Sequence, residues 1–257
     1  MKKNFIVYTF IIFVLTSLTI FAEREVDFEK LEYDEKTELV YVEGEKEAFT
    51  GIAKYYSKDE SSIFEFPYKN GKKEGRGKEY YLNGKFKSDA FFIDGLLQGK
   101  SIGYYENGNL KYEGLTRLGL RVKEWKFYYE NGKLQFIGDY KYGEQDGFWK
   151  IYYENGNIKN IANYDYGKLV GLVRNYEEDG KFSSTTYYEE GSNLTKWQFF
   201  YKDGKSIKKE GMAYDMGEEA KKRWIATGEW KYYSKAGKLQ KIETYENGEI
   251  IRVEKFK

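Results

Sequence analysis

The sequence predicts an all-β fold, an elongated antiparallel array of β-hairpins, on three observations. First, 27 Tyr, 18 Phe and 5 Trp supply 19 % of the 257 residues, alongside 27 Gly and a single Pro. Aromatic residues favour strands and glycines favour tight turns. Second, an aromatic recurs every 24 residues, at Tyr56, Tyr80, Tyr104, Tyr128, Tyr152, Tyr176 and Phe200. Third, two glycine series stay in phase with it, alternating at spacings of 13 and 11. One runs Gly84, Gly108, Gly132, Gly156, Gly180, Gly204, and the other Gly71, Gly95, Gly119, Gly143, Gly167, Gly191. A fixed period of this length marks a repeat architecture.

The elements follow in chain order. Lys2 and Lys3 precede an uncharged, mostly apolar run from Asn4 to Ala22, which meets Glu23. Residues 1–22 read as a signal peptide cleaved after Ala22, so the protein is expected to be exported: periplasmic, at the cell surface or secreted. The alternative is an uncleaved N-terminal membrane anchor, weakened by Thr9, Thr16, Ser17 and Thr19. Residues 23–50 align only loosely with the repeat and read as an N-terminal cap, with a strand at Leu39–Val42. End repeats need such a cover.

Residues 51–248 carry about eight 24-residue hairpins. Asn83-Gly84, Asn107-Gly108, Asn131-Gly132 and Asn155-Gly156 read as tight two-residue turns, because Asn-Gly tolerates positive φ. The second turn, as in Tyr142-Gly143-Glu144-Gln145-Asp146-Gly147, reads as looser. An insertion near 212–225 delays the next aromatic to Tyr233, and Asp215 to Trp224 reads as a short helix there. Residues 249–257 alternate apolar and charged side chains and read as a C-terminal edge strand.

Period-two spacing sorts the columns onto two faces. Trp125, Trp149, Val173, Trp197 and Trp230 share one, followed two residues on by Phe127, Ile151, Phe199 and Tyr232. The other carries Lys54, Lys78, Lys126, Lys150, Arg174 and Lys231, beside the Tyr56-to-Tyr233 column. One hairpin cannot bury an aromatic face, but stacked neighbours can, so the columns read first as architecture. The binding candidates are the Lys/Arg column and the insertion, with Lys222, Arg223 and Trp224. Lengthened loops on repeat arrays often grip partners.

Composition excludes several classes. With no Cys and no His, thiolate zinc sites, iron–sulfur clusters, cysteine nucleophiles and histidine bases are ruled out. Formal charge is +1, and loss of residues 1–22 removes Lys2 and Lys3 to leave −1, so bulk nucleic-acid binding has no basis. The glycines are spaced as turns, with no phosphate loop opening a helix. Glu106, Glu130 and Glu154 read as polar turn flanks rather than catalytic carboxylates. No cofactor, metal or enzymatic activity is expected.

The unit Tyr-x-x-Gly-x-x-x-Gly-x-Trp-x-x-Tyr-Tyr-x-x-Asn-Gly-x-Leu resembles the MORN repeat in its bacterial variant form. Tyr142, Gly143, Gly147, Trp149, Tyr152, Tyr153, Asn155, Gly156 and Ile158 show one copy. The resemblance spans roughly Gly51 to Gly248 and implies a MORN-like solenoid sheet used as a scaffold for protein contacts or membrane association. Where typical units carry a His, this chain has Glu74, Gln98, Asp146, Val170 and Leu194. Many bacterial variant-repeat proteins carry a YwqK-type antitoxin label, which implies neutralisation of a cognate toxin. The leading expectation is an exported, non-enzymatic scaffold for protein–protein interaction. Cell-wall glycan binding and contact with an anionic membrane surface are the alternatives.

Overall fold

The computed structural model describes residues 24–57, 62–217 and 224–257. The predicted signal peptide lies outside them. The described chain is one open sheet, antiparallel except at its start, plus a small hairpin. Glu25–Asp27 forms one edge and pairs in parallel with Gly51–Tyr56. From there each strand pairs with its successors in chain order, ending at the free edge Glu249–Lys255. The predicted all-β hairpin array is therefore what the chain forms.

Leu31–Asp34 and Leu39–Val42 make the separate hairpin at the N-terminal end. Val42, Phe49, Ala53 and Tyr68 are buried together there, with Val26, Phe28, Leu31, Val40 and Phe66 packed around them. Burial pushes the Tyr68 phenol up to about 12, because the phenolate would lose its hydration.

The two turn families are the reverse of the sequence expectation. At Asn83-Gly84 only the glycine has positive φ. Gly84 N donates to the Tyr81 carbonyl at 2.8 Å, and Tyr81 N donates to the Lys85 carbonyl at 2.8 Å. This is a three-residue loop, a type I turn closed by a glycine bulge. The supposedly looser turns are the tight ones. Asp94-Gly95, Leu118-Gly119, Tyr142-Gly143 and Tyr166-Gly167 have positive φ at both residues, the type I′ geometry that matches strand twist. Gly147 does not close this turn. It lies inside the strand Glu144–Tyr152 with φ 71.

The insertion does not read as a helix at either described end. Asp215 closes the strand Ile207–Asp215 and Trp224 opens Trp224–Tyr233, and the two residues pair in register. The described residues on either side thus extend the two paired strands, and residues 218–223 lie outside the description. Among the described residues the only helical turn is the 3-10 turn Phe28–Lys30, and none is a helix long and apolar enough to cross a membrane.

Candidate binding surface

The two faces of the sheet differ in what their side chains are committed to. On the tryptophan face the rings lie over glycines of the preceding strand. A Cβ on Gly114 would stand 2.1 Å from the Trp125 ring, one on Gly138 2.3 Å from Trp149, and one on Gly211 2.2 Å from Trp230. Each of these indoles donates its Nε1–H to the carbonyl one residue beyond its glycine. Trp125 reaches Leu115 at 2.9 Å, Trp149 reaches Asp139 at 3.1 Å and Trp230 reaches Met212 at 3.0 Å. Trp197 differs because its preceding-strand partner is Thr186. It donates instead to Thr195 Oγ1 at 2.9 Å. Neighbouring rings close over the indoles: Tyr140, Tyr164 and Phe136 surround Trp149 with centroids 5.1, 5.8 and 5.9 Å away. Trp149 retains only 1 % of its surface. These columns are packing.

Trp224 belongs to the same layer. Its ring meets Trp197 edge-on at 4.9 Å and Tyr188 at 6.1 Å. Lys222 and Arg223 lie outside the described residues. At the C-terminal end Glu243 stands opposite Trp230 and is 8 % exposed. It accepts from Lys241 Nζ at 2.7 Å, Tyr245 Oη at 2.9 Å and the Tyr232 hydroxyl. The Lys241 bond, aided by the two phenols, holds this carboxyl down at about 2. Burial against that charge pushes the Tyr232 phenol up.

The opposite face carries the predicted Lys/Arg column, and strand pairing joins it into one continuous line. In register, the line runs from Lys54 through Glu65 to Lys78 and Asp89. It continues through Ile102, Glu113 and Lys126, then Ile137, Lys150, Ile161 and Arg174. Thr185, Gln198, Glu210, Lys231 and Ile242 complete it. Beside it runs a second line in which Tyr alternates with Leu, Ile or Phe. Tyr128 pairs with Leu134, Tyr152 with Ile158 and Tyr176 with Phe182.

The charges along the first line are partnered unevenly. Lys54 Nζ lies 2.9 Å from Glu25 and 3.9 Å from Glu65, and the Glu25 hydrogen bond raises its pKa. Lys126 lies 3.1 Å from Glu124, a contact that raises its pKa too, and Lys231 lies 3.9 Å from Glu229. Lys78 stands between Glu65 and Asp89 in the register, although Asp89 binds Arg76 at 2.8 Å. Between Lys126 and Arg174 the residues interleaved with the cations are Ile137 and Ile161, not acids. Lys150 and Arg174 are exposed.

Two features of the site escaped the sequence reading. The interleaved column Glu65, Asp89, Glu113, Ile137, Ile161, Thr185 obeys the same 24-residue step, so the change from acid to isoleucine was there to be read. The mid-strand glycines Gly114 and Gly138 are also 24 apart, hidden among more conspicuous turn glycines.

A repeated hairpin with a glycine-seated aromatic on one face and a line of tyrosines on the other defines a β-hairpin repeat protein. Five segments match the model of the MORN repeat variant: residues 73–94, 97–117, 121–142, 145–166 and 226–247. The chain thus carries five repeats of the MORN variant type. No curated protein matches it. Among solved structures it resembles a chain of the Photorhabdus luminescens Tc holotoxin pore, at 11 % identity and a TM-score of 0.18. A chain in the complex of TcdB2, TccC3 and Cdc42 matches at 12 % identity and a TM-score of 0.18. Each alignment covers 84 % of this chain but only 16 % and 17 % of the other. Scores this low carry no functional argument.

Proposed function

We propose that the protein is an exported, non-enzymatic scaffold that binds another protein through its Lys/Tyr face. The observation that carries this is the contrast between faces. The tryptophan columns are used up in seating one repeat on the next. The opposite face offers a periodic line of charge and a periodic line of phenols, open to solvent along the array. Such a surface suits recognition of an extended partner, because each repeat contributes the same few groups. Tyrosine and arginine, here the phenol line and Arg174, are also what partner-binding surfaces favour.

The test is a cross-linked pull-down from envelope and extracellular fractions with residues 23–257 as bait. A parallel bait carries Lys150→Glu and Arg174→Glu. A protein captured by the first and lost with the second supports the reading. Recovery of wall glycan or lipid alone, by both baits, overturns it. Fractionation with N-terminal sequencing tests export: a mature chain beginning at Glu23 is expected, and an intact Met1 in the cytoplasm overturns that part.

A further inference from the structure

We infer that Lys126, Lys150 and Arg174, with Tyr128, Tyr152 and Tyr176 beside them, bind an acidic segment of the partner protein in polyproline II conformation. The inference rests on the scaffold reading above and names the chemistry of its partner.

The three cations stand on every second strand of the register line, so adjacent ones are about 9.6 Å apart. A polyproline II segment has three residues per turn and rises ~3.1 Å per residue, so every third side chain returns to one side after about 9.3 Å. An extended strand repeats a face after ~6.8 Å, and an α-helix advances ~5.4 Å per turn. Only the first of these periods places an Asp or Glu at every third position above each cation in turn.

Chemistry points the same way. Ile137 and Ile161 fill the places between the cations, where acids stand at Glu65 and Asp89 earlier in the line. Among the described residues no carboxylate forms an ion pair with Lys150 or Arg174, whereas Lys126 keeps Glu124 at 3.1 Å. The Tyr line lies two residues along each strand on the same face, and polyproline II ligands dock on aromatic-lined grooves. On the other side of the cations Glu124 pairs with Asp139, and Asp139 with Asp146. These acids repel an acidic segment on the far side of Lys126, while the exposed Phe148 and Leu172 flank Lys150 and Arg174 there, so the strip between cations and phenols is its seat.

The test is fluorescence anisotropy with two labelled peptides of identical composition. One carries Glu at every third position in a proline background, and the other carries its Glu residues clustered at one end. The protein is residues 23–257. The spaced peptide is expected to bind about tenfold more tightly than the clustered one. Lys150→Ala with Arg174→Ala should remove that preference, while Lys78→Ala should leave it, and melting curves verify that each variant is folded. Equal affinity for the two peptides overturns the inference, as does a preference unaffected by the double variant. Tighter binding to polygalacturonate or to phosphatidylglycerol vesicles than to either peptide also overturns it. If the pull-down retains a protein partner while the peptides fail, only this inference falls; if the pull-down yields glycan or lipid alone, both fall.

Discussion

The Tyr129 hydroxyl donates to the Tyr152 backbone carbonyl at 2.6 Å, tying one repeat to the next. The same bond recurs from Tyr81 to Tyr104, Tyr105 to Tyr128 and Tyr153 to Tyr176. It is kept across the insertion, where Tyr201 reaches Tyr233 at 2.7 Å. The ladder breaks where Glu177 replaces the tyrosine and accepts from Ser183 Oγ instead.

Tyr129→Phe should therefore cost about 1 kcal/mol, the usual net worth of a hydrogen bond whose acceptor is half-buried. Glu177→Tyr should restore the missing rung and stabilise by up to about 1 kcal/mol. Urea unfolding measures both. A destabilised Glu177→Tyr would show that this junction has no room for the phenol.

Gly138→Ala should be far more damaging than an ordinary strand substitution. Its Cβ would meet the Trp149 ring at 2.3 Å, forcing the indole off its bond to Asp139. Overpacking of this kind costs about 3 kcal/mol. Combining it with Trp149→Leu should recover part of the loss, because the clash is gone, and a double-mutant cycle reads that coupling. Purely additive losses would mean the glycine is needed for another reason.

Three exposed turn residues, Leu118, Tyr142 and Tyr166, hold φ between 44 and 52. Lys123 does the same at 58, in the column that otherwise holds Gly99, Gly147 and Gly171. Side chains of this size pay about 1 kcal/mol for the left-handed region. Leu118→Asn and Lys123→Gly should each raise stability by roughly 0.5–1 kcal/mol. A drop in the urea midpoint for either variant would refute the strain.

Glu243 makes acid stability specific. Its carboxyl titrates at about 2 in the folded chain, held down first by Lys241 and then by the phenols, against about 4.3 unfolded. A depressed carboxyl stabilises fully above its unfolded value and loses that contribution as pH falls through its folded one. The stability gap between the native protein and Glu243→Gln should be about 2–3 kcal/mol above pH ~4.5 and vanish towards pH ~2. A gap independent of pH would show that the glutamate acts by shape, not charge.

The hairpin array, its 24-residue unit and the sorting of side chains onto two faces were all legible in the chain. Strand periodicity is local, and Tyr128 shares a face with Lys126 whatever lies beside it. The turn families were legible in position but not in type. Asn-Gly suits both a two-residue turn and a glycine bulge, and only the pairing on either side decides between them.

What lies opposite what was decided by the tertiary structure. The ladder shifts at bulges between Glu113 and Leu115 and between Ile137 and Asp139, and each shift resets which side chains become neighbours. Register therefore set the column of Ile137 and Ile161 between the cations from Lys126 to Arg174, whereas the change from acid to isoleucine within that column is written in the sequence. Register also slid Trp149 onto Gly138, and brought Trp224 out of its insertion to rest against Trp197. A repeat carries the period of its contacts in its sequence. The offset between neighbouring strands is set by backbone hydrogen bonds and bulges, which exist only once the strands have paired.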